Sequence, residues 1–198
     1  MTATILLIRH ASHGDVGKVL SGRGGNRPLT AAGAAEARAL AAHLGRQPID
    51  AIHSSPVRRA RETAAILAEP RGLTVQEVPA LDEVDFGDWT GRSFAELEDD
   101  PRWRDWNEMR AQTRVPKGEN MVEVQERAMG HIAQAARGMA GRVVAMVSHC
   151  DVIRAVIAGF LGLSLDNLLR FDVSPASVSR LAVSDHGTTV FNINGLPA

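Results

Sequence analysis

With 198 residues, 44% of them apolar, the chain is long enough for one substantial α/β domain with a continuous core. Its 22 basic residues face 23 acidic ones for a formal net charge of -1, so the balance calls for neither nucleic acid nor an anionic membrane. Any affinity for anions has to be local, and because every basic residue except Lys18 and Lys117 is arginine, a lone arginine says little.

The single cysteine, Cys150, excludes an intramolecular disulfide framework and suits a reducing compartment. The opening MTATILLIRHASH has no basic region before its short apolar run and reaches Arg9 after four strongly apolar residues, unlike a signal peptide or a membrane span. A cytoplasmic location with no membrane partner is expected.

Ile5 to Ile8 and Val143 to Val147 are short apolar runs without polar alternation, the pattern of central parallel strands covered on both faces. Thr30 can cap a helix through alanine-rich positions to about Leu44, with Gly45 at its exit. Ile49 to His53 reads as a strand, and Pro56 as the first residue of a helix to about Ala68. Leu73 to Val78 alternates weakly as a further strand, and an acid-rich irregular stretch follows from Leu81 to Gly91. Ser93 and Glu96 have capping-box spacing and open a helix that fades around Pro101. Residues 92–120, rich in Arg and Trp and poor in periodicity, are the expected lid-like insertion in a single domain over 1–198. A helix from about Glu119 to Met139 precedes the strand ending at Ser148, and Asp151 to Leu161 reads as a buried helix. Val178 to Val183 and Thr188 to Ile193 flank Asp185-His186-Gly187 as a closing hairpin.

This alternation predicts a three-layer α/β/α sandwich around a mostly parallel sheet, in which ligands bind outside the carboxyl ends of the strands. Arg9-His10, Ser54 to Arg61 and Ser148-His149 all fall there. Phosphoryl transfer needs such a set: positive donors for the equatorial oxygens, a nucleophile in line, and an acid for the leaving oxygen. Neutral imidazole can be the nucleophile near pH 7, and the adjacent Arg9 would favour the unprotonated form of His10.

At these residues the sequence resembles the histidine phosphatase superfamily, also called the phosphoglycerate mutase-like family. Leu7-Ile8-Arg9-His10-Ala11 is similar to its opening Arg-His-Gly motif. Ser54-Ser55-Pro56-Val57-Arg58-Arg59-Ala60 through Thr63-Ala64 resembles its Ser-Ser-Pro element, whose register selects Arg59 over Arg58 and Arg61. Leu81-Asp82-Glu83 with Gly87, Trp89 and Gly91 resembles the element whose Glu is the proton donor, and Ser148-His149 with Ile153-Arg154 resembles the second histidine motif. The resemblance implies that His10 accepts the phosphoryl group, that Arg9, Arg59 and His149 hold its oxygens, and that Glu83 protonates the leaving alkoxide. It implies no metal and no cofactor.

Some positions depart from that pattern. Ala11 replaces the usual Gly, His13 the usual Thr or Ser, Val16 a common substrate-binding Asn, and Cys150 the Gly after the second motif histidine. Ser21 and Gly22 keep the spacing of a substrate-contacting loop, so Ser21, Gly22 and Cys150 are expected at the substrate. Asp82, Asp85 and Asp88 read as acids that solvate a loop, and Trp103 and Trp106 as packing residues of the lid. A metal site on His10, His13 and Asp15, and a Cys150 thiolate lacking the arginine such chemistry needs six residues later, are both disfavoured. The expected activity is metal-independent hydrolysis of a small phosphorylated metabolite, with no nucleic acid partner and a homo-oligomer left open. A phosphoglycerate mutase-type transfer, suggested by Arg102, Arg104, Arg110 and Arg114, and a phospho-ligand-binding pseudo-enzyme are the alternatives.

Overall fold

A computed structural model describes residues 2–24 and 26–197. Its described residues form a six-stranded sheet in the order β3-β2-β4-β1-β5-β6, where β1 is Ala3–Arg9, β2 Ala51–Ser54, β3 Val75–Glu77, β4 Val143–Ser148, β5 Val178–Ser184 and β6 Gly187–Gly195. The first four of these in space run parallel, and β5 and β6 close the far edge as an antiparallel hairpin. β1 and β4 are central, which is why their apolar runs do not alternate: Ile5, Leu7, Val144 and Met146 face one core cluster and Leu6, Ile8, Ala145 and Val147 the other.

Helices cover both faces of the sheet. On one side lie α1 (Ala31–His43) and α2 (Arg58–Ala68). On the other lie α5 (Met121–Gly138) and α6 (Cys150–Leu161). Between them in sequence, α3 (Phe94–Glu98) and α4 (Pro101–Glu108) occupy the segment expected to be irregular. The caps explain several of these boundaries. Thr30 accepts from the Gly33 N–H, Ser93 and Glu96 form a reciprocal capping box, and Asn120 and Glu123 form a second one at the start of α5.

Two helix starts differ from expectation. Pro56 is not the first residue of α2; Val57 is its N-cap and Arg58 its first residue, because Ser55 and Pro56 are held by the strand end, where the Ser55 N–H donates to the Val147 carbonyl at 2.9 Å. Pro101 does not mark a fading helix but opens α4, with the Asp100 side chain capping the Arg102 N–H. Near Gly45, α1 passes into a 3-10 turn over Leu44–Arg46.

The segment 92–120 is fixed by aromatic packing. Trp89 and Trp106 are fully buried, Trp103 stacks edge-on to Trp89 with centroids 5.4 Å apart, and Trp106 meets Phe86 at 6.3 Å. Truncating a buried Trp of this kind costs about 3 to 5 kcal/mol. Gly87 is needed beneath this cluster, since it has φ of 41° and a Cβ there would lie 2.2 Å from the Pro116 carbonyl.

Candidate active site

The parallel register brings three strand ends to one edge. Arg9 pairs with Ser148 and Ser54 with Val147, so the residues that follow them, His10, Ser55 and His149, emerge side by side. The His10 N–H donates to the Ser148 carbonyl at 2.9 Å, and α2 pins the next residue: Thr63 Oγ1 accepts from the Ala11 N–H at 3.0 Å and donates to the Arg59 carbonyl at 2.8 Å. On the other side, α1 approaches so closely that a Cβ on Gly33 would sit 1.9 Å from the Ser12 carbonyl oxygen.

His10 is 3% exposed and its protonation geometry is determined by its partners. Nδ1 lies 2.8 Å from the Ala11 carbonyl, which only accepts, so Nδ1 carries the proton. Nε2 then presents its lone pair, and it receives the Arg59 Nε–H at 3.1 Å. Burial holds the imidazole well below its ordinary range, with Arg59 the next cause; Arg9 acts in the same, expected direction as a lesser one.

Arg59 is 1% exposed and ties the site together. Its Nη2 donates to the Gly22 carbonyl at 2.8 Å and to His149 Nδ1 at 3.0 Å, while its Nη1 is buried with no acceptor. Of the three neighbouring arginines Arg59 is the one that faces His10, since Arg58 turns outward to Glu62 and Arg61 to Glu77. Arg9 anchors through Nη1 to the Val173 carbonyl at 2.6 Å, and its buried Nε has no acceptor. Two guanidiniums beside His10 therefore retain free donors.

Glu83 Oε2 stands 3.6 Å from His149 Nδ1 and 3.8 Å from Arg59 Nη2, and Oε1 accepts from the Val84 N–H at 3.0 Å. Burial pushes the carboxyl up to about 7, outweighing the opposing pull of Arg59. A carboxyl in that range exchanges a proton at neutral pH, as a general acid must.

The remaining expected residues have more specific placements. Ser21 Oγ donates to Asp15 Oδ2 at 3.0 Å, and Gly22, at φ 51°, offers its carbonyl to Arg59. Both line the cavity, so their contribution to it is largely to position Arg59 and the loop. Cys150 begins α6 beside the cavity, and burial pushes its thiol up to about 12, which leaves it protonated at neutral pH. Val16 also lines the cavity, and among the described residues no group of three His, Cys, Asp or Glu could hold a metal. Ala11 is fully buried with its N–H and carbonyl both engaged, so replacing the usual Gly perturbs nothing there.

Sequence reasoning missed the partner behind His149 and the acid behind that partner. Ser55 Oγ lies 2.8 Å from His149 Nε2, and its hydroxyl donates to Asp82 Oδ1 at 2.7 Å. Asp82 is therefore not simply a loop-solvating acid. It missed also that Asp151, in the first turn of α6, is half-buried between Arg110 at 3.0 Å and Arg154 at 3.7 Å. The site opens into a cavity of about 310 Å³, whose lining includes the apolar Val16, Val19, Phe94, Trp103 and Leu169 and the polar Asn107, Arg110, Asp151 and Arg154.

An imidazole lone pair among free guanidinium donors and a near-neutral carboxyl is the equipment of metal-free phosphoryl transfer, and the chain belongs to the histidine phosphatase superfamily (branch 1), whose family profile matches residues 5–195. An acid phosphatase of Mycobacterium tuberculosis is 33% identical over 199 residues, covering 97% of this chain and 92% of that one. A solved mycobacterial glucosyl-3-phosphoglycerate phosphatase is 25% identical with a TM-score of 0.87, covering 98% of this chain and all of that one. The Bacillus stearothermophilus protein YhfR superposes with a TM-score of 0.92 at 26% identity, covering 98% of each chain. Yersinia proteins named probable phosphoglycerate mutases are also among the relatives. The chain is a histidine phosphatase-type enzyme by family, fold and the naming of its relatives, and none of its described helices is long and apolar enough to cross a membrane.

Proposed function

We propose that the protein hydrolyses small phosphomonoesters through a phosphohistidine on His10, without a metal. The observation that carries this reading is the His10 Nε2 lone pair, fixed by the Ala11 carbonyl and set against Arg59, whose Nη1 has no acceptor. A phosphoryl group displaces the Arg59 Nε–H from that lone pair and takes the arginine donors for its own oxygens, with Arg9 and His149 completing the cradle. Nε2 then attacks phosphorus as the ester P–O bond breaks, and the departing alkoxide takes the proton of Glu83. In the second half, Glu83 as carboxylate removes a proton from water, the oxygen attacks phosphorus, the N–P bond breaks and inorganic phosphate leaves. Glu83 ends protonated as it began.

The cavity accommodates a small organic leaving group with both apolar and polar parts. A mutase reading draws support from Arg110 and Arg154 in the same cavity. Hydrolysis is favoured because those cations already hold carboxylates, Arg110 that of Asp151 at 3.0 Å and Arg154 that of Asp172 at 2.9 Å, which leaves little charge for a second phosphate. Ala11, Val16 and Cys150 give no support to a pseudo-enzyme, since none intrudes between His10, Arg59 and Glu83. We take residues 92–120 as the lid over this cavity and the cytoplasm as the setting, in keeping with a protonated, unpaired Cys150 thiol.

The direct test is turnover of an aryl phosphate in the presence of a chelator by wild type and Arg59→Ala. Sustained wild-type hydrolysis with a loss of about a thousandfold in the variant is expected for removal of the central charge clamp. Dependence of the wild type on added divalent metal would overturn the reading.

A further inference from the structure

The second histidine of the site carries a hydrogen-bond chain of its own, whose direction follows from donor and acceptor chemistry. Arg59 Nη2 can only donate, so at 3.0 Å it requires the lone pair of His149 to be on Nδ1. The proton is then on Nε2, which donates to Ser55 Oγ at 2.8 Å. The Ser55 hydroxyl also accepts from the Val57 N–H at 3.2 Å, so its own proton is left for Asp82 Oδ1 at 2.7 Å. Ser55 and His149 are both fully buried, and both ring nitrogens of His149 and the Ser55 hydroxyl have partners.

We propose that Asp82 is a positioning residue for the reaction: acting through Ser55, its carboxylate supports the tautomer that Arg59 requires of His149 and stabilises the imidazolium that forms when a phosphoryl dianion occupies the site. The inference rests on the proposed phosphatase reading for its consequence, but the tautomer itself is a property of the free protein.

The physical need is specific. In the free site burial holds His149 well below its ordinary range, with the positive charge of Arg59 the next cause and Arg127 and Arg9 lesser ones. A neutral Nδ1 lone pair would repel phosphoryl oxygens. To donate to them it must gain a proton, and the phosphoryl dianion in front and the Asp82 carboxylate behind are the two negative charges that make this favourable; Glu83, 3.6 Å from Nδ1, adds a third whenever it is ionised. Burial raises the Asp82 carboxyl above its ordinary range, with the Ser55 hydroxyl, Arg23 and Arg127 opposing the rise and Glu119 adding to it. Ser55 transmits the effect because its hydroxyl is the shared acceptor and donor. In the chymotrypsin-type triad a buried Asp acts on a His directly in a comparable way; here a serine intervenes.

The test uses Asp82→Asn, which keeps the shape and removes the charge, and Ser55→Ala, which cuts the chain. Nitrogen-15 NMR of the free protein should find His149 protonated on Nε2 in the wild type, and in Ser55→Ala the same tautomer with the Nε2–H signal shifted by loss of its acceptor. With an activated aryl phosphate, which does not need the Glu83 proton, the alkaline limb of kcat/KM should move down by about one pH unit in Asp82→Asn. Inhibition by inorganic phosphate at pH 8 should weaken about tenfold in the same variant and much less at pH 6. An unshifted limb and unchanged phosphate inhibition in Asp82→Asn, or His149 protonated on Nδ1 in the wild type, would overturn the proposal. A wild type with the expected tautomer but no turnover of any aryl phosphate would instead count against the phosphatase reading while upholding the hydrogen-bond chain.

Discussion

Replacing Glu83 by Gln isolates proton donation from everything else the site does. Gln fills the same volume beside Arg59 and His149 and still accepts the Val84 N–H, but it has no proton to give. For an alkyl phosphate the departing alkoxide is strongly basic, and losing a positioned acid costs about 100- to 10,000-fold in kcat, or about 3 to 5 kcal/mol of barrier. For a nitrophenyl phosphate the leaving group needs no proton, and the loss should stay below about tenfold. The wild-type pH profile adds a second constraint. With the Glu83 carboxyl held at about 7, about nine-tenths of the enzyme carries the proton at pH 6 and about one-tenth at pH 8. Alkyl phosphate turnover should therefore fall as pH rises through 7. Steady-state kinetics on the two esters from pH 5 to 9 provide the measurement, and equal losses on both in Glu83→Gln would refute the role of acid.

Three further outcomes are expected. The Cys150 thiol, pushed up to about 12 by burial, should resist alkylation by iodoacetamide at pH 8, and Cys150→Gly should keep turnover within about threefold; inactivation would implicate the thiolate. Gly33→Ala should cost about 1 to 3 kcal/mol in chemical denaturation and lower kcat as well, because its Cβ displaces the Ser12 carbonyl two residues from His10. His53 and His131 share a hydrogen bond at 3.0 Å between β2 and α5, and burial holds His53 at about 4 against 6.5 when unfolded. The unfolded chain then binds more protons as pH falls, so stability is complete above about 6.5 and declines toward pH 4, His53 accounting for about 1 to 2 kcal/mol after allowance for solvent at its ring. Urea unfolding at pH 7 and 4.5 should show a smaller decline in His53→Gln.

Where the sequence was legible, a local pattern carried the information. The apolar runs of β1 and β4 were readable because central parallel strands are covered on both faces, and the start of α3 because the Ser93 and Glu96 capping box is local. Arg59 stood out from Arg58 and Arg61 only through motif register, and its burial follows from the face that α2 turns to the sheet. The Ser55 to Asp82 bond joins residues far apart in sequence, and no spacing signals it. The same is true of the His53 and His131 pair and of Asp151 between Arg110 and Arg154, where partners come from different elements. Pro101 was misread because a proline that ends one helix and a proline that begins the next look alike until the Asp100 cap is seen.

The account stands on His10 Nε2 as the atom that takes the phosphoryl group. Mixing wild type with a phosphomonoester, quenching in denaturant at alkaline pH and measuring intact mass should reveal one phosphoryl group per chain, lost on brief acid treatment, mapped to His10 and absent from His10→Ala. A phosphoryl group on any other residue, or a His10→Ala variant that turns over at the wild-type rate, would contradict it.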